Sequence, residues 1–144
     1  MVWFPHQASS CLRIERIQKR FVLLALRNLP WQNPTNLPPY LDRCQLLGLD
    51  TLHHRRKIQQ VLFIAKLING EIDSPELLAK LSFRIPHRTL RNTTLLQLDY
   101  HRTAFGYNEP LSACVRAFSG VEDLFEFGEP SSRFASKLNR SNRL

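Results

Sequence analysis

Residues 50–70, DTLHHRRKIQQVLFIAKLING, hold the longest apolar run in the chain, and any fold must find cover for it. Read as one helix, Ile58, Val61, Leu62, Ala65 and Ile68 share a stripe, while Phe63, Ile64 and Leu67 cover most of the other side. A helix this apolar has neighbours on several sides. Asp50 or Thr51 can cap its start, and Gly70 stands where a left-handed C-terminal residue belongs. Its front carries His53, His54, Arg55, Arg56 and Lys57, a charged end projecting toward water or an anion. The expected fold is all-α: an irregular helical bundle around a central apolar helix at about 50–69, with a proline-rich connector and a disordered C-terminal tail.

Charge narrows the partners. Twenty Lys+Arg oppose twelve Asp+Glu, a net charge of +8, and the excess is uneven. Residues 1–66 carry ten basic and three acidic groups, 67–130 carry six and nine, and 131–144 carry four and none. A polyanion is the natural partner of such a field, although the same charge also keeps many basic domains soluble. Length allows one helical domain over 1–130 and a basic flexible tail over 131–144, with a core that needs no staples. Cys11, Cys44 and Cys114 are odd in number, far apart and without a C-x-x-C pair, which reads as reduced thiols in a cytoplasmic or nuclear protein. MVWFPHQASS lacks the pattern of a signal peptide, and VLFIAKLI is too short for a bilayer, so neither secretion nor a membrane partner is expected.

Ahead of the apolar run, an amphipathic helix is expected from Ser9 or Ser10 to about Asn28, burying Ile14, Ile17, Phe21, Leu24 and Ala25. Beside that face, Arg13, Arg16, Arg20 and Arg27 fall within an arc of roughly 60° at ~100° per residue. Such a stripe can follow a phosphate backbone, or it can be a solvated flank; Glu15 lies off it. Four prolines from Pro30 to Pro39 make a stiff extended connector packed down by Trp31. A short helix, Tyr40 to Leu47, turns Tyr40, Cys44 and Leu47 inward and ends at Gly48. With the following helix it has the spacing of a helix-turn-helix, but the second helix is too apolar to lie exposed in a groove. His53 and His54 point about 100° apart and cannot share a metal from one helix face.

Beyond Gly70, Ser74 and Pro75 open a short helix through Leu81. SFRIPHRTLRN then reads as irregular or briefly extended chain, whose Arg84, His87, Arg88 and Arg91 either contact phosphate or lie in a solvated loop. TTLLQLDY fits a strand or a helical turn, and HRTAFGYN an aromatic loop. Pro110 starts a helix with Leu111, Cys114, Val115 and Phe118 at helical spacing, Gly120 ends it, and the phenylalanines of VEDLFEF dock on the core. Catalytic signatures do not emerge. The five glycines are scattered, G-x-S-x-G and H-E-x-x-H are absent, and Asp42 and Asp50 are too isolated for a two-metal site. No catalytic residue, cofactor or metal is expected.

The segments VWFP, RIERIQKRF (Arg13 to Phe21), LPW, NLPPYLDRCQLLGLDTLHHRRK, GEIDSPELL, RTLRN and HRTAFGYNEP occur in this order between Val2 and Phe127. Taken as a series, they resemble the C-terminal part of the reverse transcriptase polyproteins of non-LTR retrotransposons, especially jockey-like elements of insects. The resemblance implies the thumb-like helical region and C-terminal extension that follow the palm, a region that grips template and primer by their backbones. The palm's Tyr/Phe-x-Asp-Asp motif has no counterpart here, since the sequence contains no Asp-Asp dipeptide. A fragment of this kind is not an enzyme on its own.

Together these readings lead to a fragment of an RNA-directed DNA polymerase that binds RNA or an RNA–DNA hybrid through phosphates without reading bases. The contact residues are Arg13, Arg16, Arg20, Arg27, Arg55, Arg56, Lys57, Arg88 and Arg91. Two alternatives stand beside it. One is an interaction or scaffold domain that self-associates through surface left bare without the palm, with Trp3, Phe4 and Trp31 exposed. The other is a transposon remnant without a role.

Overall fold

Pro5 and residues 7–27, 38–85 and 94–141 are described in the computed structural model. Among these residues there are seven α-helices and no strand, so the chain is all-α. The helices are α1 (Ala8–Arg27), α2 (Tyr40–Leu46), α3 (Leu52–Ile68), α4 (Pro75–Leu78), α5 (Ala104–Tyr107), α6 (Pro110–Ser119) and α7 (Ser131–Ser141), with a 3-10 turn at Glu122–Leu124. The proline-rich connector, Trp3, Phe4 and Trp31 lie outside the described residues. Two compact units are distinguished, residues 4–56 and 57–144, and the division falls inside α3 after its first turn.

Local chemistry accounts for both ends of α3. Thr51 Oγ1 accepts the backbone N–H of His54 at 3.2 Å, satisfying one of the free donors of the first turn. At the other end Gly70 has φ 72°. That conformation lets the amides of Gly70 and Glu71 turn back to the carbonyls of Leu67 and Lys66, at 3.3 and 2.9 Å. Gly48 (φ 62°) closes α2 in the same way, with Leu49 N–H bonded to Cys44 O at 2.9 Å. Between its ends α3 buries Ile58, Gln60, Val61, Leu62, Ile64, Ala65 and Leu67.

In the unit of residues 57–144, the apolar side chains of this set join Leu81, Leu96, Leu111, Cys114, Val115, Phe118, Val121, Phe134 and Leu138 in one core. Phe118, Phe125 and Phe134 form its aromatic centre, with ring centroids 5.3 Å apart for Phe118–Phe125 and 5.4 Å for Phe125–Phe134. α6 buries Leu111, Cys114, Val115 and Phe118, the four positions that its helical spacing selects. Phe127 departs from the expected docking: it touches Phe125 yet stays 66% exposed. Burial pushes the Cys114 thiol up to about 11, so at neutral pH it is a packed thiol and not a thiolate.

Where a flexible tail was expected from residue 131, residues 131–141 form α7. Phe134 and Leu138, one helical turn apart, are fully buried in the core of this unit. The helix is anchored at its start, where Glu71 Oε1 accepts the Ser131 N–H at 3.0 Å. Just before that start, Asn69 bonds Glu129 O at 2.8 Å and Gly128 N–H at 3.2 Å. Lys137 Nζ bridges Glu126 and Glu129 at 2.8 and 2.9 Å. Serine- and asparagine-rich composition argued for a solvated tail, whereas two large apolar residues on one face and a distant carboxylate at the helix start make it part of the fold.

The segment 82–98 is extended where it is described. Phe83 and Leu96 form an isolated antiparallel bridge, with Arg84 N–H to Leu95 O at 3.0 Å and Gln97 N–H to Ser82 O at 2.8 Å.

The unit of residues 4–56 has a much smaller core. Val22, Leu26 and Cys44 are buried, and Tyr40, Leu47 and Leu49 pack against them. Gln18 is also buried, and its amide donates to Asp50 O at 2.9 Å. Tyr40 O–H donates to the Glu15 carboxylate, and Lys19 Nζ lies 5.1 Å from the Tyr40 ring centroid.

Candidate nucleic-acid interface

The face of α1 that packs is not the one its apolar residues mark out. Instead of Ile17, Phe21 and Leu24, which are 69%, 60% and 55% exposed, the helix turns Gln18, Val22 and Leu26 inward. Ile14 and Ala25 are half-buried at the edge of that face. The physical reason lies in α2, whose only buried residue is Cys44. A helix this short offers a narrow apolar surface, and α1 meets it with the row of residues spaced by four, Gln18, Val22 and Leu26. Gln18 is the residue that sequence reasoning missed. A glutamine set among Arg16, Ile17, Lys19 and Arg20 gives no pattern signal, and its partner, a backbone carbonyl at Asp50, is 32 residues away.

This rotation puts the four arginines outward. Arg13, Arg16, Arg20 and Arg27 are all exposed, on the side of α1 roughly opposite Gln18. Arg13 and Arg27 are 14 residues apart, so the stripe is about 21 Å long at ~1.5 Å per residue. None of the four takes part in the ion pairs of the described residues that join Arg133 and Lys137 to Glu126 and Glu129. The nearest acid on α1, Glu15, is engaged by Tyr40 and lies off the arginine arc. Uncompensated guanidiniums in a row raise the local potential and are free to exchange water for phosphate oxygens.

The second cationic group is differently placed. Arg55 is exposed, while Arg56 and Lys57 are half-buried, and all three sit in the first two turns of α3. That end has no acidic residue in its first turn, so the basic charges add to the positive end of the helix dipole. The loop entering α3 is tied at Asp50 to Gln18, on the face of α1 turned away from the arginines. The stripe belongs to α1 and the second cluster to the start of α3. Beyond residue 57, α3 is buried too deeply to serve as the reading helix of a helix-turn-helix. Arg88 and Arg91, with His87, lie outside the described residues; Arg84 is exposed, its guanidinium 3.4 Å from Thr94 Oγ1.

Among the described residues, no group of three or more His, Cys, Asp or Glu side chains is placed to hold a metal ion. Among the same residues, no helix is long and apolar enough to cross a membrane. Cys11, Cys44 and Cys114 are free thiols. Compared with protein-family models, with curated proteins and with solved structures, the chain finds no match.

Proposed function

We propose that residues 4–56 form a sequence-tolerant grip for RNA or an RNA–DNA hybrid, with Arg13, Arg16, Arg20 and Arg27 on phosphates. The observation that carries this reading is the row of four exposed arginines on one arc of α1, outside every ion pair of the described residues. Guanidiniums on a helix contact backbone phosphates in register without reading base edges, so affinity is electrostatic and sequence-tolerant. The ordered resemblance to the post-palm region of jockey-like non-LTR reverse transcriptases supports the same reading. On it, this stretch holds and positions nucleic acid in a cytoplasmic or nuclear setting, while polymerisation belongs to a palm that it does not contain.

Fluorescence anisotropy against a labelled RNA–DNA hybrid at rising salt tests the grip. With four phosphate contacts, affinity falls about a hundredfold between 50 and 200 mM salt. The variant with all four arginines changed to Ala loses most of that slope while remaining folded. Equal salt slopes for the two proteins would remove the stripe from the function.

A second reading has its own observation. Ile17, Phe21 and Leu24 lie exposed beside the arginine arc, an apolar ridge of the kind that a protein partner or a second copy would cover. Concentration-dependent association lost on Phe21→Ser, with no salt-sensitive nucleic-acid binding, would favour it.

A further inference from the structure

The unit of residues 57–144 carries a second candidate surface that owes nothing to α1. A cleft of about 530 Å³ opens there. Leu81, Leu96, Leu111 and Val115 contribute its apolar lining, while Asp99, Glu109, Ser112 and Arg116 bring polar groups to it. Its aromatic wall is Tyr107, and the Arg116 guanidinium lies over that ring at 3.7 Å from the centroid. Tyr100 directly follows Asp99 of the lining and Phe105 precedes Tyr107 by two residues; they are 92% and 91% exposed. Leaving two rings this bare costs solvation free energy unless something stacks on them.

The rings are not on a loose loop. Thr103 Oγ1 caps α5 by accepting the Gly106 N–H at 3.2 Å, and Asn108 Nδ2 donates to Ala104 O at 2.8 Å. His101 Nε2 lies 3.0 Å from Ser112 Oγ, tying the start of the segment to α6. The His101 ring also packs under Gly106, where an added Cβ would stand 3.0 Å from Nδ1. These bonds fix the backbone that carries Phe105 and Tyr107. Arg102, exposed within the same segment, and Lys80, in the cleft lining, add cationic charge.

We propose that this cleft takes one unpaired nucleobase of a single-stranded nucleic acid against Tyr107 and Arg116, with Tyr100 and Phe105 stacking its neighbours. Aromatic rings and guanidinium planes are the surfaces on which unstacked bases settle, and every base has a face to offer. The polar lining decides between a base and an apolar plug. A purely apolar group would cover the carboxylates of Asp99 and Glu109 without offering them hydrogen-bond partners, whereas a base edge supplies donors at the rim of a flat apolar body. The inference extends the phosphate-grip reading to a second, chemically different contact. It does not require the arginines of α1 to be correct.

The test uses the full chain and a 12-nucleotide single strand carrying 2-aminopurine, beside a duplex of the same sequence. Wild type should change the 2-aminopurine fluorescence saturably, reporting stacking. Tyr107→Leu, and the double variant Tyr100→Ser with Phe105→Ser, should each weaken single-strand binding about tenfold or more and leave duplex binding unchanged. The two exposed positions are safe for folding, and circular dichroism confirms that each variant remains helical. Single-strand binding equal to wild type in both variants would overturn the inference, as would an unchanged 2-aminopurine signal. Loss of self-association in the aromatic variants, without any oligonucleotide effect, would also overturn it and assign the platform to a second copy. Duplex binding that vanishes only with the four-arginine variant bears on α1 alone, so the two readings fail separately.

Discussion

α1 and α7 are both basic amphipathic helices, and they end in opposite circumstances. In α7 the apolar pair Phe134 and Leu138 is fully buried, and Lys137 is held between two carboxylates. In α1 the larger apolar side chains Ile17, Phe21 and Leu24 are exposed and the four arginines are outside any ion pair of the described residues. The difference follows from what each unit can supply. Residues 57–144 offer a continuous core with an aromatic centre and acidic side chains beside it, whereas residues 4–56 offer Val22, Leu26 and Cys44. An amphipathic pattern states that a helix has an apolar side; the available partner surface decides which part of that side is used.

The sharpest way to break the contrast is to remove the anchor of α7. Phe134→Ala deletes a ring packed on both Phe118 and Phe125, and should cost about 3–5 kcal/mol in urea unfolding. A cost within ~0.5 kcal/mol, typical of an unremarkable surface site, would mean that α7 is a dispensable tail after all.

Next in size is Gln18→Ala, which leaves the Asp50 carbonyl without its side-chain donor and opens space behind α1. A loss of about 1–3 kcal/mol is expected, confined to residues 4–56 when followed by hydrogen exchange. Protection lost equally in both units would show that they unfold as one.

A smaller effect tests the exposed ridge. Phe21→Ser should change stability by no more than ~0.5 kcal/mol, because a side chain already 60% exposed has little burial to lose. A thermal melt showing a loss as large as that of Phe134→Ala would mean that α1 is covered, and the contrast would collapse.

The smallest effect is a pH dependence at the start of α7. Hydrogen bonds from the Ser131 side chain and amide hold the Glu71 carboxyl below its ordinary value. A depressed folded-state pKa stabilises the fold above the unfolded value, and the contribution fades as pH falls through the folded value. Amide exchange in the first turn of α7 should therefore quicken on acidification through the carboxylate range and lose that dependence in Glu71→Gln. Identical profiles for the two proteins would assign the helix start to packing alone.

Much of this fold was legible in the sequence because the deciding signals are local. Thr51 and Gly70 bound α3, Pro110 opens α6, and Leu111, Cys114, Val115 and Phe118 name its buried face, all through interactions within a turn or two of chain. The arginine stripe was legible for the same reason, since helical period alone puts Arg13, Arg16, Arg20 and Arg27 on one arc. Tertiary structure decided what no local rule contains. It chose Gln18, Val22 and Leu26 over Ile17, Phe21 and Leu24 as the packed face of α1, because Asp50 and Cys44 lie there. It turned a serine-rich tail into a helix by bringing Glu71 to Ser131, 60 residues apart. Composition and period determined which segments are helices and where charge accumulates; contacts between segments far apart in sequence determined which faces remain for a partner.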